Sequence, residues 1–354
     1  MINMSKLNKQ HSLYQEDLAN VLSIPGIETI RGKRFLITGA TGLIGVCMID
    51  ALMKYNKEGA AITIYAVGRS KSKAAERLGE YFENEFFCFI EQDVREPFPK
   101  WVDVDYVIPL ASNTHPLAYS HYPIETIEIN VKGAEYALQK AVECGATVLY
   151  PSSVEIYGSA IGDETFSEDY TGKLNLSTSR ACYTESKRLG EALCQSYKAE
   201  KGVSVIISRI CRVFGPTMLP SDTKASSQFI NKAIRGEDII LKSEGNQYYS
   251  YIYVADVVAA LLYIMIHGED GQAYNISSDA CNIHLKDFAQ LCAELNGKDL
   301  IFDLPSEAER KGYSIAVNAI LDNSTLKRLG YSTLYTMRDA VKRTVQILKS
   351  NSTC

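Results

Sequence analysis

The chain has 354 residues, 46% of them apolar, with 37 lysines and arginines against 42 aspartates and glutamates, for a net charge of −5. That length builds one large domain or two smaller ones, and the missing basic excess argues against a nucleic-acid partner. Nine cysteines without paired spacing, no CxxC and no histidine cluster point to reduced thiols in a cytoplasmic protein, with no metal site.

Residues 1–32 are polar and lack the apolar core of a signal peptide; they are expected to form a helical extension outside the following domain. Residues 35–37 read as a buried strand. It runs into Gly39-Ala40-Thr41-Gly42-Leu43-Ile44-Gly45, and residues 46–55 read as a helix. A strand, a tight turn and a helix N-terminus leave backbone N–H groups and a helix dipole free for a pyrophosphate. Gly39 permits the turn, Gly42 lets the backbone approach a phosphate, and Gly45 lets the helix pack on the strand.

A second strand over 62–67 ends in Gly68-Arg69-Ser70, and 71–84 is expected to be helical. A third strand, 86–90, leads to Asp93 and Val94. A fourth, 104–110, ends at Leu110 and opens into the loop Ala111-Ser112-Asn113-Thr114-His115-Pro116. A helix over 123–144, a strand over 147–150, the segment Pro151-Ser152-Ser153-Val154-Glu155-Ile156-Tyr157-Gly158, a helix over 180–201 and a strand over 203–208 follow. Strands alternating with helices predict an α/β fold, a Rossmann-like doubly wound parallel sheet over 33–215, with ligands at the carboxyl ends of its strands. Beyond Gly215 the alternation loosens, so 216–354 is read as a smaller C-terminal substrate-binding lobe with an interleaved boundary. The longest apolar run, 257–266, is too short to span a bilayer, and no membrane partner is expected.

Tyr183 and Lys187 stand four apart and share one face of the expected helix. Phenol is a poor base at neutral pH, but a nearby ammonium and a cationic nicotinamide ring would favour phenolate. Such a tyrosine can take the proton of a sugar hydroxyl while hydride leaves the same carbon. Taken alone, the pair reads more readily as chance helical spacing; the order overturns that: glycine turn, Ser-Ser loop at a strand end, then Tyr-xxx-Lys.

In that order the chain resembles the extended short-chain dehydrogenase/reductases that modify nucleotide sugars, over roughly residues 33–350. TGATGLIG, PSSVEIYG, Tyr183-xxx-Lys187 and RICRVFGP (209–216) carry the resemblance. It implies a bound NAD(P), a nucleotide-diphosphate-sugar substrate, and a homodimer that pairs the helices near 123–144 and 180–201. It assigns the dinucleotide to Gly39, Thr41, Gly42, Leu43, Ile44, Gly45, Arg69, Ser70, Asp93, Val94, Leu110, Ala111, Ser112, Tyr183 and Lys187. Asn130 matches a structural asparagine. Ser153 matches the residue that polarises the reacting hydroxyl, while Ser152 reads as structural. His115 and His121 are read as solvated or capping, with substrate contact as the alternative.

Glu155 matches family members that act at the sugar's C5 or C6, the 4,6-dehydratases and glucuronate decarboxylases. Val154 stands where dehydratases carry a proton-donating aspartate, which turns the expectation towards decarboxylation of a UDP-glucuronate-like sugar. A 4,6-dehydratase, a 4-epimerase, an NADPH-dependent 4-keto reductase and a non-catalytic dinucleotide-binding module remain as alternatives. Two departures mark the substrate pocket. Tyr249 occupies the place of a family arginine, and Arg212 stands where relatives carry asparagine. Arg212 and Tyr249 are therefore assigned to substrate binding with Ser153 and Arg310. No acidic residue ends the second strand, and Arg69 suits a 2′-phosphate, which favours NADP over NAD.

Overall fold

The structure, a computed structural model, describes residues 7–114, 116–160, 164–304 and 318–350, without the side chains of 116–118. The chain starts with helix α1 (Ser12–Leu22). Strands β1 (Arg34–Thr38), β2 (Thr63–Gly68), β3 (Phe87–Glu91), β4 (Tyr106–Pro109), β5 (Thr147–Ser153) and β6 (Val205–Ile210) then alternate with helices. These are α2 (Leu43–Lys57), α3 (Lys71–Leu78), α4 (Pro116–His121), α5 (Pro123–Cys144) and α6 (Ala181–Lys201). The later chain gives β7 (Arg212–Phe214), α7 (Ala225–Arg235), β8 (Ile239–Leu241), β9 (Tyr248–Tyr249), β10 (Tyr251–Tyr253), α8 (Val254–His267) and β11 (Ala273–Ile276). It closes with β12 (Ile283–His284), α9 (Leu285–Glu294), β13 (Leu300–Phe302), α10 (Ser324–Arg328) and α11 (Met337–Lys349).

The strands Phe35-Leu-Ile37, Val107-Ile108 and Val205-Ile-Ile207 are buried on both faces, as a sheet covered by helices on each side requires. The parallel sheet runs β11-β6-β5-β4-β1-β2-β3. The order reverses between β1 and β4, so the two loops leaving those strands open a crevice there. The expected doubly wound α/β sheet is therefore present. Its seventh strand, β11, comes from the chain beyond Gly215, where α8 also returns to pack on α1 and α2. Short strand pairs β7–β10, β8–β13 and β9–β12 organise the rest of that later chain.

The expected helix over 71–84 stops at Leu78, because Gly79 takes the C-cap and a 3₁₀ turn follows. Eight cysteines fall among the described residues and all are free. No helix among those residues is long and apolar enough to cross a membrane.

Helix α1 is tied to α2 by a buried carboxylate. Asp50 of α2 accepts hydrogen bonds from Lys9 Nζ at 2.6 Å, Tyr14 at 2.6 Å and Tyr81 at 2.9 Å. One turn further along α1, Asp17 accepts from Tyr253 at 2.6 Å and Arg343 at 2.8 Å. Burial raises the pKa of both carboxyls, and Lys9 and Arg343 oppose that rise as counter-charges. Removing one member of a buried pair leaves the other charge uncompensated. Lys9→Met should therefore cost about 3 kcal/mol, read as the midpoint of chemical denaturation, and adding Asp50→Asn should recover most of it. Equal midpoints for wild type and Lys9→Met would show that the pair does not hold α1.

Candidate active site

The turn after β1 is built where side chains do not fit. Gly39 has φ +62°, and a Cβ there would lie 2.8 Å from the Ala111 nitrogen; one on Gly45 would lie 2.5 Å from the Gly39 carbonyl oxygen. Gly42 is the N-cap of α2 and offers no side-chain acceptor, so the amides of Leu43, Ile44 and Gly45 are left without a side-chain cap. Thr41 flanks them, and the Thr217 hydroxyl holds the Leu43 carbonyl at 2.7 Å. Uncapped amides at a helix N-terminus, in a cradle that a Cβ would fill, suit a pyrophosphate.

At the ends of β2 and β3 the charges are already paired. Arg69 Nη1 meets Glu125 Oε1 at 2.7 Å, Ser70 caps α3, and the Lys71 amide donates to Glu91 at 2.8 Å. Asp93 is gripped by Arg95, which holds its carboxyl below the usual range, and Arg95 also reaches Glu128. Val94 packs beneath Gly133 of α5, where a Cβ would come within 3.3 Å of it.

A run of hydrogen bonds links the loop after β4 to α6. Leu110 donates its amide to the Ile108 carbonyl, and the Ala111 amide donates to the Thr38 hydroxyl at 3.0 Å. The Ser112 hydroxyl donates to Asn130, Asn130 Nδ2 donates to Ser186 at 2.8 Å, and the Ser186 hydroxyl donates to the Tyr183 carbonyl at 3.0 Å. Lys187 is buried; its Nζ donates to the Pro151 carbonyl at 2.8 Å and lies 5.3 Å over the Tyr150 ring. Burial lowers its pKa to about 8, and the Glu191 carboxylate opposes that fall. Burial also raises the Tyr183 phenol, while a hydrogen bond with Ser153 lowers it.

Ser153 ends β5 and its hydroxyl accepts from the Glu155 amide at 3.2 Å, which starts a 3₁₀ turn through Val154. Ser152 is buried and its hydroxyl has no hydrogen-bond partner among the described residues. Glu155 stands 3.8 Å from Arg212, and Arg212 lies 3.7 Å over the Tyr249 ring. The two departures seen in sequence thus touch each other. Arg310 and His115 lie outside the described residues, and His121 packs against Tyr122.

Two residues not singled out from sequence join this cluster. Tyr119 stacks on Tyr183 with ring centroids 5.6 Å apart, and its phenol feels the charges of Glu155 and Arg212. Glu191 pairs with Arg209 at 2.7 Å, and Arg209 donates to Tyr157 at 3.0 Å. Glu191 was findable, since it stands one turn beyond Lys187 on the same helix face. Tyr119 was not, because nothing local announces the short helix α4.

Gly190 sets the distance between α6 and β5: a Cβ there would fall 1.9 Å from the Tyr150 hydroxyl. Gly190→Ala should therefore destabilise the protein by about 2 kcal/mol. The reading is denaturation midpoint, and an unchanged midpoint would mean that the helix has room to move.

A family model described as the NAD dependent epimerase/dehydratase family matches residues 35–277. The chain is 35% identical over 233 residues to UDP-glucuronic acid decarboxylase 1 of Xenopus tropicalis, covering 66% of this chain and 53% of that protein. It is 34% identical over 245 residues to UDP-glucuronic acid decarboxylase 3 of Arabidopsis thaliana, covering 69% of each. The chain thus spans about half the length of the Xenopus relative. In fold it is similar to UDP-glucuronic acid 4-epimerase from Bacillus cereus in complex with UDP-glucuronic acid and NAD. That similarity has a TM-score of 0.75 at 19% identity over 90% of this chain and 99% of the other. It is likewise similar to dTDP-glucose 4,6-dehydratase from Bacillus anthracis in complex with NAD, with a TM-score of 0.76 at 18% identity over 90% and 97%.

Proposed function

The chain belongs to the NAD dependent epimerase/dehydratase family, and from that premise we propose that it decarboxylates a UDP-glucuronate-like sugar through transient oxidation at C4. One observation carries this reading: Tyr183, Ser153 and Glu155 gather at the carboxyl end of β5, in the same parallel sheet as β1 with its glycine turn and separated from it by β4. Similarity to UDP-glucuronic acid decarboxylases at 34–35% identity supports it. Gly39, Thr41, Gly42, Leu43, Ile44 and Gly45 would hold the pyrophosphate of the dinucleotide, with Asp93 and Val94 beside the adenine and Leu110, Ala111 and Ser112 near the nicotinamide half. When bound, that group supplies a hydride acceptor for C4 and a donor for its later reduction.

Tyr183 takes the proton of the C4 hydroxyl, which Ser153 polarises, and Lys187 favours the phenolate once charged. The resulting 4-keto sugar makes the C6 carboxylate a β-keto acid. Carbon dioxide leaves as the C5–C6 bond breaks, and its electron pair forms an enolate. Glu155 handles the proton that C5 then gains, and the Tyr183 phenol returns its proton to O4. Val154 offers no proton to a leaving hydroxyl, which disfavours 4,6-dehydration.

The dinucleotide is taken as NAD rather than NADP. Arg69, the cation that suited a 2′-phosphate, is engaged by Glu125, and the Glu91 carboxylate accepts from the amide at the start of α3 beside it, which supports the choice. Residues beyond 216, with Arg212 and Tyr249, would form the substrate side. Ile124, Ile127 and Val142 of α5 and Leu189 of α6 are exposed and apolar, which supports a homodimer across these helices. A cytoplasmic setting is in keeping with the free thiols.

Incubation with UDP-glucuronate and NAD should yield a product lighter by one carbon dioxide, and NADP should support it less well. Tyr183→Phe should lose activity by about a thousandfold, and Glu155→Gln by at least about tenfold. An unchanged mass, or normal turnover by Glu155→Gln beside a dead Tyr183→Phe, would refute decarboxylation through Glu155.

Because Lys187 in the free protein titrates near 8, its depressed pKa leaves it charged below that pH and neutral above it. The value of kcat/KM, which reports free-enzyme groups, should fall as pH rises through about 8. A profile flat to about pH 10 would exclude Lys187 as the group that favours phenolate.

A further inference from the structure

We infer that Arg212 recognises a carboxylate on the reacting sugar, and so sets preference for uronates over neutral hexoses; this rests on the nucleotide-sugar reading above. Arg212 opens β7 directly after β6, and its guanidinium is fixed on two sides. Its Cζ lies 3.7 Å over the Tyr249 ring, a contact that covers one face of the plane. Its Nη2 stands 3.8 Å from Glu155 Oε1, which is an ion pair but beyond hydrogen-bond length. Its Nη1 is buried and has no hydrogen-bond partner among the described residues.

A buried N–H without an acceptor is costly to leave unmade, and more so on a cation. With one face stacked, the fork is open to an acceptor that approaches in its own plane. That is how a carboxylate meets arginine through two parallel N–H···O bonds. Phosphate shares the chemistry, but the neighbourhood selects between the two. Arg212 shares Glu155 with the end of β5. Its charge also acts on Tyr119, whose ring stacks on Tyr183. The guanidinium therefore belongs to the groups proposed to act at C4 and C5, and a C6 carboxylate is one bond from C5.

Holding the carboxylate stabilises bound substrate before the bond to C6 breaks, so Arg212 should govern KM more than kcat. The competition with Glu155 also has a sign: an incoming carboxylate must share the guanidinium with it. Replacing Glu155 by glutamine should leave uronate binding intact or tighten it.

The test is calorimetric binding of UDP-glucuronate, UDP-glucose and UDP to the full chain in the presence of NAD, for wild type, Arg212→Gln, Arg212→Lys and Glu155→Gln. Wild type should prefer UDP-glucuronate to UDP-glucose by at least about tenfold. Arg212→Gln should weaken UDP-glucuronate by about tenfold to a hundredfold, with UDP and UDP-glucose within about twofold of wild type. Arg212→Lys, which keeps charge but loses the fork, should fall between. Equal weakening of all three ligands would place Arg212 on the diphosphate and overturn the inference, as would no weakening or a wild type that does not discriminate. Uronate preference that Arg212→Gln abolishes, in a wild type that releases no carbon dioxide, would uphold Arg212 and refute decarboxylation alone.

Discussion

Gly190 lets α6 lie directly on Tyr150, and the position of the chemistry follows from that contact. No side chain larger than hydrogen fits between them. Lys187, one turn before Gly190, is consequently pressed over the Tyr150 ring and donates to the Pro151 carbonyl of the same strand. Tyr183, a turn earlier still, is brought to Ser153 at the end of that strand. The close packing that positions Lys187 also strips it of water and lowers its pKa to about 8, so placement and proton affinity have one cause.

The rest of the molecule braces this contact. Glu191 extends the stripe of α6 and, through Arg209 and Tyr157, locks β6 to the turn that carries Glu155. Asn130 bridges Ser112 to Ser186, joining the loop after β4 to α6. On the opposite side of the sheet, α1 clamps α2 through Asp50 and the end of β10, where α8 begins, through the Tyr253 contact with Asp17. The helix that presents the glycine-turn amides is thus held from behind by the extension before β1. Buried acids recur there because each finds its donors on a different element, which ties elements together at the expense of desolvation.

What was legible in the sequence was whatever local chemistry dictates. The glycine turn announces itself because Gly39 and Gly45 sit where a Cβ would collide, and the parallel sheet follows from buried strands alternating with helices. Tyr183 and Lys187 are legible as a spacing. The burial of α1 was not, since Lys9 and Asp50 meet only through tertiary packing. Nor was β11, whose four residues return to a sheet whose other strands lie before Gly215. Two- and three-residue strands such as β7 and β9 are too short to show a period. Arg69 was legible as a cation at the end of β2, but its partner Glu125 comes from a different helix and was not.

Arg212 and Tyr249 are the opposite case. Each appeared in sequence as an isolated departure from a resemblance, one arginine missing and another gained. The fold brings the two side chains into contact, because β10 begins two residues after Tyr249 and pairs with β7, with Tyr251 in register with Arg212 and the Arg212 amide donating to the Ser250 carbonyl. A tyrosine ring in place of one cation supplies the flat surface on which the other cation rests. The pair therefore behaves as a single structural feature, a cation resting on a ring beside Glu155. Sequence spacing could not show this, since the two residues lie 37 positions apart and meet only through the pairing of β7 with β10.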